Sequence, residues 1–243
     1  MRRPHCPRAL LALLGAGLVA GCGSSSSGGS TITVGNEKGA SAPGASSPTT
    51  TPATTAPAGC TAVKAPAPKG AQHLSKPTSK LDPRKTYTVR MQTNCGEIDL
   101  ALDVQRAPRT AASFAYLVGR GFYDGLTFHR VAAGFVIQGG DPNGDGSGGP
   151  GYQVVEKPPA HISYTPGTVA MAKTGSDPDG TSGSQFFIVT GTQSSLPPQY
   201  ALLGRVTGGQ AAVSAIAQIP TNPPQDGMPT SPVVITKATL SVR

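Results

Sequence analysis

The chain has 243 residues, a formal net charge of +8, 32 glycines and 24 prolines. The length allows one or two domains, and the concentration of large apolar residues toward the C-terminal side favours one. Lysines and arginines are scattered and are not interleaved with aromatic residues, which argues against a nucleic-acid-binding protein.

The first 21 residues have the composition of a bacterial signal peptide. Three arginines precede an apolar run over residues 9–20, which is too short to span a bilayer comfortably. The run ends in Val19-Ala20-Gly21-Cys22, which resembles the lipobox of bacterial lipoproteins, whose cysteine is acylated after cleavage. We therefore predict a lipoprotein signal peptide over residues 1–21 and a lipid anchor on Cys22, outside the cytoplasm on the outer face of the bacterial cell membrane. An ordinary secretory signal is the alternative.

A linker follows the predicted anchor. Residues 22–80 consist mostly of Ser, Thr, Pro, Ala and Gly, and so few large apolar side chains cannot form a core. We predict a lipidated cysteine and a disordered linker over residues 22–80, then one domain over residues 81–243. Removal of the signal peptide lowers the formal charge from +8 to +5, because its three arginines leave with it.

Two further cysteines remain, Cys60 near the end of the predicted linker and Cys95 in the first hairpin of the domain. Neither belongs to a CxxC pair or stands beside a histidine, so a metal or redox role is not expected. In an oxidising compartment we expect them to form a disulfide, which would close a loop of about 36 residues and stabilise the fold by roughly 3–4 kcal/mol. Two free thiols are the alternative.

The domain combines short strands with two helical segments. Alternating residues over 86–93 and 97–102, joined by a turn, predict a hairpin. Further predicted elements are a helix over 108–120, strands near 127–131, 135–139, 168–172, 186–190 and 201–207, a helix over 210–218, and a strand near 233–240. Many short strands with glycine-rich turns predict a closed antiparallel β-barrel, which leaves no sheet edge.

Three polar features suggest other chemistry. Residues 141–146 begin like a calcium loop, but Tyr152 stands where a glutamate is required. Residues 145–150 are close to the Asp-Ser-Gly-Gly-Pro of trypsin-like proteases, with Ser147 as the serine and a glycine inserted before it. His129 has no partner nucleophile in the pattern, so we expect it to be satisfied within the barrel wall.

The segments FHRVAAGFVIQGGD, residues 128–141, and SGSQFFIVTG, residues 182–191, carry the main functional signal. In order and separation they resemble the cyclophilin family of peptidyl-prolyl cis-trans isomerases. The resemblance extends from near Lys85 to near Val242. It implies a mainly β protein, a closed eight-stranded antiparallel barrel with a helix at each end, and an isomerase that uses no cofactor or metal.

The resemblance also assigns roles to individual residues. Arg130 corresponds to the family's catalytic arginine. The substrate-binding residues that it implies are Phe135, Val136, Gln138, Ala172, Lys173, Thr174, Gln185, Phe187, Leu196 and Tyr200. Lys173 and Thr174 replace the family's Asn and Ala, so selectivity beside the proline is expected to differ. Ser195 replaces the tryptophan of cyclosporin-sensitive members, which argues against tight cyclosporin binding.

These residue types suit rotation about an X-Pro bond. A charged donor such as arginine stabilises the pyramidal proline nitrogen of the twisted bond, and an apolar socket holds the ring. Because neighbouring strand residues face opposite sides, one of Phe186 and Phe187 can fill the core while the other lines a groove. We expect a monomeric folding enzyme for extracytoplasmic proteins, acting on proline-containing polypeptides and bound to the membrane through Cys22. The alternative is a proline-binding chaperone module with little turnover.

Overall fold

Buried and exposed side chains alternate along the strands of the domain. The structure, a computed structural model, describes residues 59–192 and 196–243. In the strand Tyr87–Thr93, for example, Tyr87, Val89 and Met91 are buried and the residues between them are not. A period of two is the pattern of a strand with one face on a core.

The described residues form twelve strands and two helices. In chain order these are β1 (Tyr87–Thr93), β2 (Gly96–Leu102), α1 (Pro108–Gly119), β3 (Leu126–Ala132), β4 (Val136–Asp141), β5 (Val154–Val155), β6 (Thr168–Met171), β7 (Thr181–Ser182), β8 (Phe186–Val189), β9 (Leu202–Gly208), α2 (Gln210–Ala217), β10 (Thr221–Asn222), β11 (Asp226–Pro229) and β12 (Val234–Val242).

Eight of these strands close into a barrel. Their order is β3-β12-β1-β2-β9-β6-β8-β4, and pairing of β4 with β3 completes the circle. Each of these pairs is antiparallel. The predicted closed eight-stranded antiparallel barrel with two helices is therefore confirmed. The short β10-β11 hairpin extends the sheet beyond β3, and β5 pairs with β7 separately.

Side chains from the inner face of the barrel and from both helices form one core. Its aromatic centre joins α1 to β3 and β8: the Phe186 ring lies 5.6 Å from Phe114 and 5.7 Å from Phe128, both in edge-on contact. Tyr123 completes the group, and its hydroxyl donates to the carbonyl of Ser184 at 3.0 Å. This packing fixes β8 and therefore the groove on the other face of the same strand.

Residues 59–80 run along the barrel surface without helix or strand. Cys60 and Cys95 form a disulfide, and beside it the backbone N–H of Thr61 donates to the carbonyl of Asn94 at 2.8 Å. Farther along, Lys69 donates from its backbone to Pro142 and from Nζ to the Phe122 carbonyl, each at 2.8 Å. We predicted a disordered linker over residues 22–80, whereas polar groups of the described part of that segment hydrogen-bond to the barrel.

The predicted signal peptide, Cys22 and the linker as far as residue 58 lie outside the described residues, as does Ser195. Within the described ranges, no helix is both long enough and apolar enough to cross a membrane.

Candidate active site

A β-bulge in β3 turns Arg130 out of the barrel. Phe128 pairs with Gly139 of β4 and Arg130 pairs with Gln138, so His129 is an extra residue with no counterpart. Phe128 faces the core, and strict alternation would direct Arg130 inward as well. The extra residue reverses this alternation, and bulges commonly re-aim side chains beside active sites.

Strand register then collects the site on the outer face of the barrel. Arg130 lies opposite Gln138, Gln138 opposite Phe187, and Phe187 opposite Ala170. Residues directly opposite in paired strands share a face, so this row runs across β3, β4, β8 and β6. A neighbouring row contains Asp226, Ala132, Val136 and Val189. The two rows bring a cation, an amide and an apolar surface together.

Arg130 is held by two side chains. Its Nε and Nη2 atoms each donate to one carboxylate oxygen of Asp226 at 2.7 Å. Its Nη1 atom donates to Oε1 of Gln138 at 3.1 Å. The Arg130 side chain keeps 35% of its surface exposed, so the guanidinium borders solvent and can reach a bound molecule.

An amide chain continues from Gln138 into a cleft beside the arginine. Nε2 of Gln138 donates to Oε1 of Gln185 at 3.0 Å. Nε2 of Gln185 in turn donates to the carbonyls of Gly146 and Gly148, at 2.8 and 2.9 Å. The cleft, of about 460 Å³, is lined by these two glutamines, by the glycine-rich loop and by Lys173. Gln138 therefore belongs both to the lining of this cleft and to the contacts of Arg130.

An apolar cluster, here called the outer cluster, covers the other side of the site. Its buried members are Ala132, Val136, Tyr164, Ala170, Phe187 and Val189, with Phe135, Ile162, Ala172, Leu196 and Tyr200 partly buried around them. The Phe187 and Tyr200 rings meet edge-on with centroids 5.3 Å apart. As alternation predicts, Phe186 lies in the core and Phe187 in this cluster. The cluster is an apolar wall next to a fixed cation.

Tyr164, a buried member of the outer cluster, hydrogen-bonds to the backbone of Tyr200. Its hydroxyl donates to the Tyr200 carbonyl at 2.6 Å and accepts the Tyr200 N–H at 3.2 Å. Burial raises the pKa of Tyr164 to about 12, so the phenol stays protonated and remains a donor. These bonds fix the backbone that carries the Tyr200 ring.

Residues 172–174 form one rim of the cleft. The N–H of Ala172 donates to the Gln185 carbonyl at 2.9 Å. Nζ of Lys173 donates to the carbonyls of Thr174 and Asp177, at 3.1 and 3.0 Å, and lies 6.0 Å from the Tyr200 ring centroid. The Asp177 carboxylate accepts both the N–H and the hydroxyl of Thr174, which holds the rim in place.

The competing motifs have structural explanations. The carboxylate of Asp141 accepts three backbone N–H groups of its own loop, and no cluster of metal-ligand residues occurs in the described parts of the chain. The Ser147 hydroxyl bonds to Asp145 and Asn143. His129 is buried in the barrel wall as expected, and neither of its ring nitrogens makes a well-formed hydrogen bond among the described residues.

Sequence reasoning missed Asp226, Tyr164 and Ile162. Each belongs to a segment with no strand pattern of its own, and each reaches the site only through tertiary packing. A carboxylate in the Pro-rich stretch before the last strand was the one available signal for Asp226.

Comparison with known proteins agrees with this geometry. Residues 88–240 match the family model of cyclophilin type peptidyl-prolyl cis-trans isomerase. The chain belongs to the cyclophilin family. This cyclophilin is 38% identical over 177 residues to peptidyl-prolyl cis-trans isomerase A of Mycobacterium tuberculosis, covering 65% of this chain and 94% of that protein. It is 46% identical over 114 residues to peptidyl-prolyl cis-trans isomerase B of Bacillus subtilis, covering 46% and 78%.

Solved structures extend the similarity to the fold. The crystal structure of a cyclophilin type peptidyl-prolyl cis-trans isomerase from Cryptosporidium parvum superposes on this cyclophilin with a TM-score of 0.59 at 28% identity, covering 64% of this chain and 98% of that one. This cyclophilin is thus an enzyme of the peptidyl-prolyl isomerase class, with its barrel complete in the described residues.

Proposed function

We propose that this cyclophilin isomerises X-Pro bonds in extracytoplasmic proteins and so assists their folding, with Arg130 as the catalytic residue. The observation that supports this assignment is the position of Arg130: its guanidinium is fixed by Gln138 and Asp226 beside the outer cluster. A fixed cation beside an apolar wall is the arrangement that a twisted imide bond requires.

To catalyse this reaction, the enzyme must stabilise the twisted form of the X-Pro bond more than the planar form. Rotation about a peptide bond meets a barrier of about 18–20 kcal/mol because amide resonance is lost. In the twisted state the proline nitrogen becomes pyramidal and gains a lone pair that can accept a hydrogen bond. An N–H of Arg130 donates to that lone pair, which the planar ground state lacks, so the bond accelerates rotation in both directions. Each 1.36 kcal/mol of such stabilisation gives tenfold in rate.

The outer cluster and the rim residues bind the polypeptide. The proline ring occupies the outer cluster against Phe187, and the preceding residues lie along Lys173. Among the described residues, the backbone N–H and C=O of Lys173 make no hydrogen bond, which leaves both available to an extended chain. A Cryptosporidium parvum cyclophilin was crystallised in the presence of the dipeptide Ala-Pro, which is consistent with a proline-containing ligand here.

Substitution of Arg130 tests the catalytic assignment. Arg130→Ala is expected to lower kcat/KM for a proline peptide at least about tenfold, because the donor to the imide nitrogen is lost. Arg90→Ala is the matched control, since Arg90 also forms a bidentate pair with an aspartate, on β1 and β2 away from the site. Circular dichroism checks that both variants fold.

Two outcomes would contradict the assignment. Equal rates for wild type and Arg130→Ala would remove Arg130 from the mechanism. Tight peptide binding with no acceleration by the wild type would favour the proline-binding chaperone instead.

The location rests on the lipobox-like Val19-Ala20-Gly21-Cys22 and gains support from the Cys60–Cys95 disulfide, since such bonds persist in oxidising compartments. Cys22 carries the lipid, and the linker holds a monomeric catalytic domain near the outer face of the cell membrane. Cys22→Ala should move the protein from the membrane fraction to the soluble fraction, with Cys60→Ala as a control that stays with the membrane. A Cys22→Ala protein that still sediments with membranes would overturn the anchor.

A further inference from the structure

We propose that Asp226 is a positioning residue for catalysis, which orients the guanidinium of Arg130 toward the imide nitrogen. This inference rests on the proposed catalytic role of Arg130. It identifies a function for the β10-β11 hairpin, which lies outside the closed barrel and otherwise only extends its sheet.

The contact is bidentate and charge-assisted. Nε of Arg130 donates to Oδ1 of Asp226 and Nη2 donates to Oδ2, each at 2.7 Å. Two parallel bonds between planar groups fix both the position and the plane of the guanidinium. A single contact would leave the guanidinium free to rotate.

Stability alone does not explain the pair. The side chains of Arg130 and Asp226 are 35% and 52% exposed, and ion pairs in such surroundings contribute about 0–1 kcal/mol to folding. The pair holds an arginine that lies beside the outer cluster, so its main consequence is the direction in which the guanidinium of Arg130 points.

The N–H donors of Arg130 that remain free show which part of the guanidinium can reach a substrate. The guanidinium of Arg130 has five N–H groups. Asp226 takes the Nε–H and one N–H of Nη2, and Gln138 takes one N–H of Nη1. One N–H on Nη2 and one on Nη1 remain. With the Nε edge held by Asp226, the donors left for a substrate lie on the Nη atoms, at the end of the side chain.

The hairpin is itself fixed relative to the arginine. Asp226 lies opposite Ala132 in the β11-β3 register, which makes it a diagonal neighbour of Arg130 on the same face. The carbonyl of Gln225 accepts the Ala133 N–H at 2.7 Å, which ties the residue before Asp226 to the end of β3. The carboxylate is thus presented by backbone pairing rather than by a free loop.

Loss of the carboxylate would release a long side chain with several rotatable bonds. Arg130 would keep its bond to Gln138 but would sample orientations in which no N–H faces the imide nitrogen. Small errors in the placement of a catalytic group are costly, with roughly 100-fold losses for a displacement of about 1 Å. Because the donor acts in the twisted state, the effect should fall on kcat more than on KM.

The experiment is a double-mutant cycle on the full-length protein. Asp226→Ala is expected to lower kcat about tenfold with KM changed less than about twofold, measured by NMR exchange spectroscopy at several peptide concentrations. Asp226→Glu keeps the carboxylate and should recover part of the loss. In an Arg130→Ala background, Asp226→Ala should cost less than about twofold, because there is no guanidinium left to orient. Asp99→Ala, which breaks the matched Arg90–Asp99 pair, should leave kcat unchanged.

The outcomes separate this inference from the proposed function. If Arg130→Ala loses activity but Asp226→Ala does not, the positioning role is wrong and the catalytic arginine stands. If Asp226→Ala costs the same in both backgrounds, Asp226 acts independently of Arg130 and the inference is also wrong. If Arg130→Ala retains full activity, both assignments fail together.

Discussion

Arg130 and His129 are adjacent in sequence and have opposite surroundings. The bulge sends Arg130 to the outer face, where three of its N–H groups bond to Asp226 and Gln138. It leaves His129 only 8% exposed, with no well-formed hydrogen bond to either ring nitrogen within the described ranges. Burial of an imidazole favours its neutral form, and burial accordingly lowers the pKa of His129.

The lowered pKa predicts a pH-dependent stability. Well above about pH 6.5 the histidine is neutral in the folded and the unfolded chain, so it contributes no pH dependence there. Below that value the unfolded chain takes up a proton that the folded protein resists, so the free energy of unfolding falls, by up to about 1.4 kcal/mol per pH unit. The advantage of wild type over His129→Gln should therefore be constant near neutral pH and shrink on acidification, measured by urea unfolding.

His161→Gln is the control for this measurement, because His161 is exposed. A difference between wild type and His129→Gln that stays constant down to about pH 5.5 would show that the buried imidazole takes up its proton as easily as a free one.

At the scale of elements, helix α1 obtains its N-terminal cap from a distant loop residue. Ala107 precedes the helix and offers no side-chain hydrogen bond. The carboxylate of Glu156, just after β5, accepts the N–H of Arg109 at 3.1 Å and both the N–H and the hydroxyl of Thr110 at 2.8 Å. An acidic group at a helix N-terminus satisfies free donors and complements the helix dipole.

This cap predicts a stability loss on substitution. Glu156→Ala should lower the free energy of unfolding by about 1–2 kcal/mol, because two backbone donors lose their acceptor, and Glu156→Gln should lose less. Urea unfolding measures both. Glu97→Ala is the control: that side chain is 54% exposed and lies 3.6 Å from Arg90, so its removal should cost less than about 0.5 kcal/mol. Equal effects of Glu156→Ala and Glu97→Ala would contradict the capping role.

At the scale of the whole molecule, the segment before the barrel is part of the folded unit. It is joined to the β1-β2 turn by the Cys60–Cys95 disulfide, 35 residues apart in sequence. Lys69 and Leu74 then bond to the loop that contributes to the cleft, through the carbonyls of Pro142 and Pro150. Burial lowers the pKa of Lys69, in keeping with a side chain laid against the barrel.

Removal of the disulfide should destabilise the fold without changing the chemistry. The paired substitution Cys60→Ala with Cys95→Ala is expected to cost about 3–4 kcal/mol of unfolding free energy, because the unfolded chain regains the entropy of an open loop. Turnover per folded molecule should be unchanged, since neither cysteine contributes to the site. Reductant should lower wild-type stability to the value of the double variant and leave the variant itself unaffected; a wild type indifferent to reductant would contradict the prediction.

Much of the fold could be predicted because its signals are local. The hairpin of β1 and β2, both helices and the longer strands follow from alternation and from turn residues, and the Phe186 and Phe187 pair divides between core and groove as alternation requires. The strands β5, β7, β10 and β11 were missed: β5, β7 and β10 have only two residues each, and β11, with the sequence DGMP, shows no alternation of apolar and polar residues.

By itself, the sequence determined the chain order of the eight barrel strands and both helices, the family motifs and the residue types of the site, because each depends on neighbours a few positions away. Only the tertiary structure decided which way Arg130 faces, since a one-residue bulge in the β3-β4 pairing reverses the alternation that the sequence predicts. It alone brought Asp226 to that arginine and Glu156 to α1, across 96 and 46 residues of chain. Such contacts arise when distant strands pair in a closed barrel, and no local pattern encodes which polar groups then meet.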